Sequence, residues 1–312
     1  MITTLTLNPT LDTTLFVDAL VPDDSNRVTH FQKDPGGKGL NVSRILHQLG
    51  TRVTTLTLFG GHTGNEVEDL LKKEGIYPFT IHISDDTRNN ITITEERSFT
   101  QTRFNQKGPQ ISEEEFQSVL NMIEQVGDNA NIFVISGSLP VKLRASAYKE
   151  IIDLLKVANP NLKIVLDADD EPLVQGIKAH PYMIKPNIHE AGRLLGKSIN
   201  TLDDQIAALK SIRNMGASTV IISRGKDGII GYDGQQIIEV DSIPVRVKST
   251  VGAGDSFVAG FCYKLEGGCS FREMLEFGVI VSSAKVTMPG TSICGWDEIN
   301  TITEIPVSRV LS

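Results

Sequence analysis

The sequence predicts an α/β protein with a mostly parallel sheet that helices cover on both faces. Strand-like and helix-like runs alternate over most of the chain, as expected for consecutive β-α-β units. In the helix-like runs, apolar residues return at the spacing of one helix face. The chain has 312 residues, enough for a sizeable core, so we expect one continuous domain over residues 1–312.

The predicted sheet strands are short apolar runs rich in β-branched residues. They cover residues 3–7, 52–58, 132–135, 164–166, 183–185 and 219–222. Asp233 and Gly234 stand between two further apolar runs, a pair typical of a tight β-hairpin turn. This hairpin would lie in the C-terminal half of the domain.

Two apolar stripes illustrate the predicted helices between these strands. They are formed by Val42, Ile45, Leu46 and Leu49, and by Phe116, Val119, Leu120 and Ile123. The first stripe ends at Gly50, a typical helix stop. The second follows Ser112 and Glu115, whose spacing predicts a capping box.

Residues 12–33 and 88–104 depart from this alternation. Both segments are extended and alternate polar with apolar residues, with no helix between strands. We expect them to form a small β-sheet lid inserted between consecutive α/β units. Exposed edges of such a sheet favour a homodimer formed lid to lid.

Composition narrows the functional classes. The 30 basic and 38 acidic residues give a net charge of −8, which disfavours a general nucleic-acid partner. The three cysteines show no C-x-x-C spacing, so neither a disulfide framework nor a zinc site is predicted. Residues 1–7 favour a strand over a signal peptide, and no apolar run approaches the roughly 18 residues of a membrane span. We expect a cytoplasmic protein without a membrane partner.

The strongest chemical signal is the segment at residues 250–256, Thr-Val-Gly-Ala-Gly-Asp-Ser, which precedes an apolar helix predicted over 257–265. Unpaired backbone amides and the positive end of the helix dipole favour a bound phosphate there. A carboxylate would repel that phosphate, but it suits a base that removes a proton beside it. We therefore interpret Asp255 as a catalytic residue.

A second glycine cluster lies at residues 35–41 and also leads into a helix. It matches neither the Walker phosphate loop nor the dinucleotide-binding glycine pattern. Gly37, Lys38 and Asn41 instead offer backbone, a cation and an amide suited to sugar hydroxyls or a phosphate. The alternative is a plain glycine-rich turn before a helix.

Two later motifs admit a functional and a structural interpretation. Asn187 and Glu190 have the spacing of a helix-capping pair, or they lie near Mg²⁺ and nucleotide phosphates. Ser223, Gly225 and Gly228 form either a nucleotide loop or the turn that enters the predicted hairpin.

Four single residues complete the candidates. Asp12 and Ser138 follow predicted strands, at the sheet edge where α/β proteins bind ligands. Arg27 and Arg88 lie in the lid segments and are either solvated arginines or phosphate-binding forks above a phosphorylated substrate. For Asp12 the alternative is a turn or cap aspartate.

In order along the chain, these segments resemble the PfkB/ribokinase family of carbohydrate kinases. The resemblance rests on residues 8–12, 36–42, 136–140, 185–187 with Glu190, and 250–256, and it spans essentially the whole chain. It implies a ribokinase-like, three-layer α/β/α core with a small β-sheet lid. Residues 8–9, 26–28, 37–39 and 87–89 are most similar to the branch containing 1-phosphofructokinase and tagatose-6-phosphate kinase.

The resemblance also implies a role for each candidate. Asp255 would be the general base, with Gly252, Ala253 and Gly254 as the anion hole. The sugar hydroxyls would be held by Asp12, Gly37 and Asn41, and the phosphate already on the sugar by Arg27, Lys38, Arg88 and Ser138. Asn187 and Glu190 would arrange Mg²⁺ and the ATP phosphates, while Ser223, Gly225, Gly228 and Gly254 would lie beside the nucleotide. Arg224 and Ser249 depart from the family pattern, which usually has an apolar residue and an aspartate there.

The activity implied is ATP-dependent phosphorylation of a phosphohexose hydroxyl with Mg²⁺. The acceptor would be fructose 1-phosphate, giving fructose 1,6-bisphosphate, or tagatose 6-phosphate, giving tagatose 1,6-bisphosphate. A kinase of an unphosphorylated sugar or nucleoside is one alternative. A sugar-phosphate sensor without catalysis is another, although it would have no need of Asp255 as a base.

Overall fold

A computed structural model describes residues 1–98, 100–127 and 130–311. Phe99, within the second predicted lid segment, lies outside the described residues. The strands are β1 (Ile2–Thr6), β2 (Thr10–Val17), β3 (Val28–Gly36), β4 (Val53–Gly60), β5 (Phe79–Ile83), β6 (Arg88–Glu95), β7 (Gln101–Phe104), β8 (Ile132–Ser136), β9 (Lys163–Asp167), β10 (Met183–Ile184), β11 (Thr219–Ser223), β12 (Ile229–Tyr232), β13 (Ile237–Val240) and β14 (Ser308–Val310). The helices are α1 (Lys38–Gln48), α2 (Gly61–Lys73), α3 (Glu113–Gly127), α4 (Ala147–Ala158), α5 (Asp170–Ile177), α6 (Ile188–Leu195), α7 (Leu202–Asn214), α8 (Ala253–Glu266), α9 (Phe271–Val286) and α10 (Trp296–Ile299).

The large sheet confirms the predicted α/β class. Within the described residues it has ten strands, in the order β14-β13-β12-β11-β10-β9-β8-β1-β4-β5. The strands from β11 to β5 in that order pair in parallel, and β12, β13 and β14 extend the sheet antiparallel. All six predicted strands are present, with ends that differ by one or two residues. The predicted hairpin is β12 and β13.

Alternate residues of the central strands pack into different cores, which gives the three layers. In β8, Phe133 and Ile135 belong to the core shared with α3 and α4. Ile132 and Val134 belong to the opposite core, shared with α8 and α9. Because side chains alternate across a strand, each face of the sheet carries its own helical layer.

A separate four-stranded sheet, β3-β2-β6-β7 within the described residues, matches the predicted lid segments. β2 pairs antiparallel with β3 and parallel with β6, so the two segments join although α1, β4, α2 and β5 separate them in the chain. The pairing of Thr10 with Gly36 places one end of this sheet beside the start of α1.

The capping predictions are confirmed, and one helix boundary is corrected. Glu115 and Ser112 exchange the two bonds of a capping box at the start of α3. α8 begins at Ala253 rather than at residue 257, because Gly252 adopts a left-handed conformation (φ 77°) and serves as its N-cap. Asp255 therefore lies inside the first helical turn, not before it. No helix in the described part of the chain is long and apolar enough to cross a membrane.

Candidate active site

A polar cavity of about 610 Å³ opens where the parallel strands end and the lid sheet begins. Most of the candidates named from the sequence line it: Asp12, Gly37, Lys38, Asn41, Arg88, Ser138, Asn187, Glu190, Ser223, Gly252, Gly254 and Asp255. The fold thus brings together segments that lie more than 200 residues apart. A cavity at the carboxyl ends of strands is the usual ligand site of an open α/β sheet.

Asp255 is buried at the floor of this cavity, only 6% exposed. Asn41 Nδ2 donates a hydrogen bond to its Oδ2 at 2.8 Å, linking the start of α8 to α1. Burial and the nearby charge of Asp167 raise the pKa of Asp255 to about 6, against the opposing effects of Asn41, Lys38 and Lys185. A carboxylate with this pKa is ionised at neutral pH and still accepts a proton readily.

Ala253, Gly254 and Asp255 open α8, and the first amides of a helix have no acceptor within it. The Ala253 amide donates to the carbonyl oxygen of Thr250 at 3.3 Å, while Gly254 and Asp255 line the cavity. A Cβ atom at Gly254 would lie 3.1 Å from the Lys185 ammonium, so this glycine lets the helix start approach that cation. Amides, helix dipole and ammonium together form a site for an anion.

Asp167 sits between two lysines at the centre of the cavity. Its Oδ1 lies 3.5 Å from Lys38 Nζ and 3.8 Å from Lys185 Nζ. Burial acts to raise the pKa of Asp167, but the charges of Lys185 and Lys38 hold it below its ordinary value. Lys38 is therefore partly neutralised, and it also approaches Asp169 at 3.9 Å.

Asp167, Asp169 and Lys185 were not among the sequence candidates. Asp167 and Lys185 end or directly follow two of the predicted strands, β9 and β10, which are neighbours in the sheet. The carboxyl ends of strands in a parallel sheet meet at the ligand site, so the positions of Asp167 and Lys185 could have identified them as site residues.

The lid supplies the opposite wall. Asn90 Nδ2 donates to Asp12 Oδ1 at 3.1 Å, and burial raises the pKa of Asp12 despite Asn90 and Arg88. A Cβ at Gly36 would lie 2.2 Å from Asp12 Oδ2, which explains the glycine. Asp12 is thereby fixed with its carboxylate at the cavity wall.

Arg88 and Ser138 border the cavity on either side of Asn8. The Arg88 guanidinium donates to the carbonyl oxygens of Asn8 at 2.9 Å and Gln106 at 3.2 Å. Asn8 Nδ2 donates to Ser138 Oγ at 3.1 Å. These bonds hold a fixed cation and a hydroxyl at one end of the cavity.

Arg27 is the one sugar-side candidate that does not line the cavity. It is exposed and lies just before β3, where Val17 pairs with Val28. The cavity is at the other end of this strand pair, where Thr10 pairs with Gly36. Eight residues of extended strand, about 3.3 Å each, therefore separate Arg27 from the cavity within one chain.

Asn187 and Glu190 form the capping pair that their spacing predicts, and their place near Mg²⁺ and nucleotide phosphates stays a prediction. Asn187 Oδ1 accepts from the Glu190 amide at 2.9 Å and Glu190 Oε2 from the Asn187 amide at 2.8 Å, a capping box on α6. Both side chains also line the cavity. Burial and the neighbouring Asp169 raise the pKa of Glu190 to about 7. In the described ranges no three His, Cys, Asp or Glu side chains cluster to hold a metal.

A second cavity, of about 620 Å³, adjoins the first. Apolar side chains such as Ile243, Val245 and Phe257 line it, together with Gly225, Gly228 and Ala253. Lys185, Ser223 and Gly254 line both cavities, so the two meet at the first turn of α8.

The unusual Arg224 beside this cavity is explained by pairing. Its Nη1 lies 2.6 Å from Glu239 Oε1, and both side chains are largely buried. A buried charge is tolerated when it is paired and hydrogen-bonded. Arg224 therefore crosslinks the loop after β11 to β13.

Comparison with known proteins agrees with this architecture. A profile described as pfkB family carbohydrate kinase matches residues 6–298. The chain is 34% identical to a 1-phosphofructokinase of Borreliella burgdorferi over 91% of each chain. It is 35% identical to a D-tagatose-1-phosphate kinase of Bacillus licheniformis over 88% of this chain and 89% of that one. The crystal structure of phosphofructokinase-2 from Escherichia coli in complex with fructose-6-phosphate superposes with a TM-score of 0.88, 32% identity and coverage of 96% and 97%. The chain belongs to the PfkB family of carbohydrate kinases.

Proposed function

We propose that this protein transfers the terminal phosphoryl group of ATP to a hydroxyl of a ketohexose phosphate. Fructose 1-phosphate is the first candidate acceptor, giving fructose 1,6-bisphosphate, and tagatose 6-phosphate is the other. One observation carries the proposal: a polar and an apolar cavity meet at Gly254, beside the buried carboxylate of Asp255. Two substrates bound on either side would face each other across that carboxylate.

In this mechanism the sugar occupies the polar cavity, with its hydroxyls held by Asp12, Gly37 and Asn41. Asp255 removes the proton of the acceptor hydroxyl as the oxygen attacks the γ-phosphorus of ATP, and the bond from that phosphorus to the bridging oxygen of ADP breaks. The amides of the first turn of α8 and the Lys185 ammonium stabilise the charge on the transferring group. Phosphoryl transfer depends mainly on such positioning and charge stabilisation.

The donor set suits Mg²⁺ bound through few protein groups. Burial and the neighbouring Asp169 both disfavour the ionised form of Glu190 and raise its pKa, and Asp169 Oδ1 is buried without a hydrogen-bond partner among the described residues. A divalent cation would remove that repulsion, and Mg²⁺ keeps waters and phosphate oxygens as its other ligands. When bound, Mg²⁺ would neutralise phosphate charge. Asn187, Glu190 and Asp169 would hold the ion and its water ligands.

The phosphate already on the sugar would lie against Arg88 and Ser138, with Lys38 closer to Asp167. Of these residues, Arg88 is the best placed to bind that phosphate. Its guanidinium donates three hydrogen bonds to backbone carbonyl oxygens, which fix its position, and it also lines the cavity. Arg27 would contribute only if a second chain presented it through a lid-to-lid dimer, which stays a prediction.

The deciding experiment is an ATP-dependent activity panel. It compares fructose 1-phosphate, fructose 6-phosphate, tagatose 6-phosphate, tagatose 1-phosphate, ribose and adenosine at fixed Mg²⁺. We expect kcat/KM to be highest for one of the ketohexose phosphates. A higher value for ribose or adenosine would overturn the phosphorylated acceptor, and tight binding of a sugar phosphate without turnover would indicate the sensor.

A further inference from the structure

Lys285 is a buried lysine that the proposed mechanism does not use. It lies in the last turn of α9, is only 2% exposed, and lines neither of the two large cavities. Its Nζ donates to the carbonyl oxygen of Gly290 at 3.2 Å, and none of the described residues forms an ion pair with it. Burying an ammonium group costs free energy unless neighbouring groups bond to it or balance its charge. The groups around Lys285 therefore indicate its role.

One side of the Lys285 side chain lies against Gly252, the N-cap residue of the helix turn that carries Asp255. A Cβ at Gly252 would lie 3.4 Å from Lys285 Cε. Gly252, Lys285, Asn41 and Thr291 line a small cavity of about 10 Å³, which has room for no more than about one water. Asn41 also donates to Asp255, so the Lys285 side chain shares this small cavity with a residue that is bonded to the candidate base.

The other side of Lys285 holds a turn that is bonded to the lid. Thr291 Oγ1 donates to Asp34 Oδ2 at 2.5 Å, and Gln32 Nε2 donates to the same oxygen at 2.8 Å. Asp34 lies on β3 directly opposite Asp12 on β2. The turn at residues 290–292 thus connects Lys285 to the strand pair that carries a sugar-binding carboxylate.

We propose that Lys285 is a positioning residue for phosphoryl transfer: its aliphatic chain packs against Gly252 while its ammonium group donates to the turn at residues 290–292, and together these contacts hold the anion hole in place relative to the lid. Its positive charge adds to the field that the amides present to an anionic group. The proposal rests on the proposed function only for naming this turn the anion hole; the contacts themselves are independent of it.

The test compares Lys285→Met with Lys248→Met, a matched change at an exposed lysine close to the same turn. We expect Lys285→Met to lower kcat about 100-fold, the scale of small misplacements at a reaction centre. KM for ATP and for the sugar phosphate should change little, because the lost effect is confined to the transition state. Lys248→Met should behave as the unmodified protein.

Two additional measurements separate positioning from a purely structural role. In Lys285→Ala, added ammonium chloride should restore part of kcat, whereas equal sodium chloride should not. Amide hydrogen exchange should become faster at residues 252–254 and 290–292 in Lys285→Met, while exchange in the middle of α9 stays unchanged. If Lys285→Met does not fold, Lys285→Arg, which keeps the charge, takes its place and should retain kcat within about tenfold.

The pH profile gives a further readout. Burial lowers the pKa of Lys285 to about 8, although Cys294, Asp255 and Asp34 oppose this shift and Arg44 adds to it. kcat of the unmodified protein should therefore fall as pH rises through about 8. Between pH 8 and 10.5 the unfolded chain binds more protons at this lysine, so its contribution to stability rises over the same range. The free energy of unfolding is measured over the same pH range, and a loss of activity where that free energy does not fall cannot come from unfolding.

The possible failures are distinguishable. If the unmodified protein phosphorylates no member of the panel, the proposed function fails, and hydrogen exchange alone decides the role of Lys285. Unchanged kcat in Lys285→Met, or a kcat loss with no local change in exchange and no ammonium rescue, would overturn the positioning role.

Discussion

Replacing Asp255 by asparagine is the sharpest test of the reaction centre. The new amide has nearly the same shape and can still accept the bond that Asn41 Nδ2 now donates at 2.8 Å. It cannot take a proton, so only the base is lost. Loss of a general base costs about 10²–10⁴ in rate, which equals roughly 3 to 5 kcal/mol of activation free energy.

The same substitution should make the protein more stable. The pKa of Asp255 rises from 3.8 to about 6 on folding, so the folded state binds more protons than the unfolded state between these values. Stability therefore falls as pH rises from 3.8 to about 6 and stays reduced above it. The penalty is at most about 3 kcal/mol, from two pKa units at 1.36 kcal/mol each, and Asp255→Asn removes it.

The assay measures kcat with a coupled ADP-release reaction and the free energy of unfolding with urea, both at pH 7 and pH 5. kcat/KM of the unmodified protein should increase through about pH 6, and Asp255→Asn should lack this increase. Asp69→Asn, at an exposed residue of α2, is the matched control. A rate for Asp255→Asn within about tenfold of the unmodified rate would refute the assignment of this residue as the base.

Two further substitutions test the acceptor and nucleotide sides. Arg88→Met should raise KM for a sugar phosphate by about tenfold or more, on the scale of a lost charged hydrogen bond, while KM for ATP stays unchanged; equal effects on both KM values would contradict its place at the sugar. Asn187→Ala should lower the free energy of unfolding by about 1 kcal/mol through loss of the cap and raise the Mg²⁺ concentration needed for half-maximal activity. An unchanged Mg²⁺ requirement would leave Asn187 with its cap role alone.

The local pattern of the sequence was sufficient for the α/β class and for the lid segments, and the three-layer arrangement came from the family resemblance. Apolar runs rich in β-branched residues identified the core strands, alternation with a period of 2 identified the lid segments, and a period of 3.6 residues identified α1 and α3. The start of α8 was misplaced because Gly252, Ala253 and Gly254 look like a flexible loop. Only the left-handed conformation of Gly252, invisible in the sequence, shows that the helix already begins there.

The sequence predicted most of the residues that line the candidate site, but not the buried charged residues that surround them. Asp167 ends β9 and Lys185 directly follows β10, two short strands separated by a helix, and the order of the sheet makes these strands neighbours. The distance of Arg27 from the cavity depends on the register of β2 and β3, which composition does not fix. Lys285 gave no signal because a lysine near a helix C-terminus is usually a solvated residue.

Asp167 and Asp255 illustrate how one cavity assigns different roles to two buried carboxylates. Both are nearly inaccessible to solvent, at 2% and 6% exposure, so burial alone would raise both pKa values. Lys38 and Lys185 flank Asp167 within 4 Å and keep its pKa low, whereas Asp255 receives one neutral hydrogen bond from Asn41 and the repulsion of Asp167 itself. The pair therefore divides into a carboxylate that stays ionised and orders two cations, and one that is poised to gain a proton. Separating the pKa values of neighbouring acids in this way is how a site distinguishes a base from a structural charge.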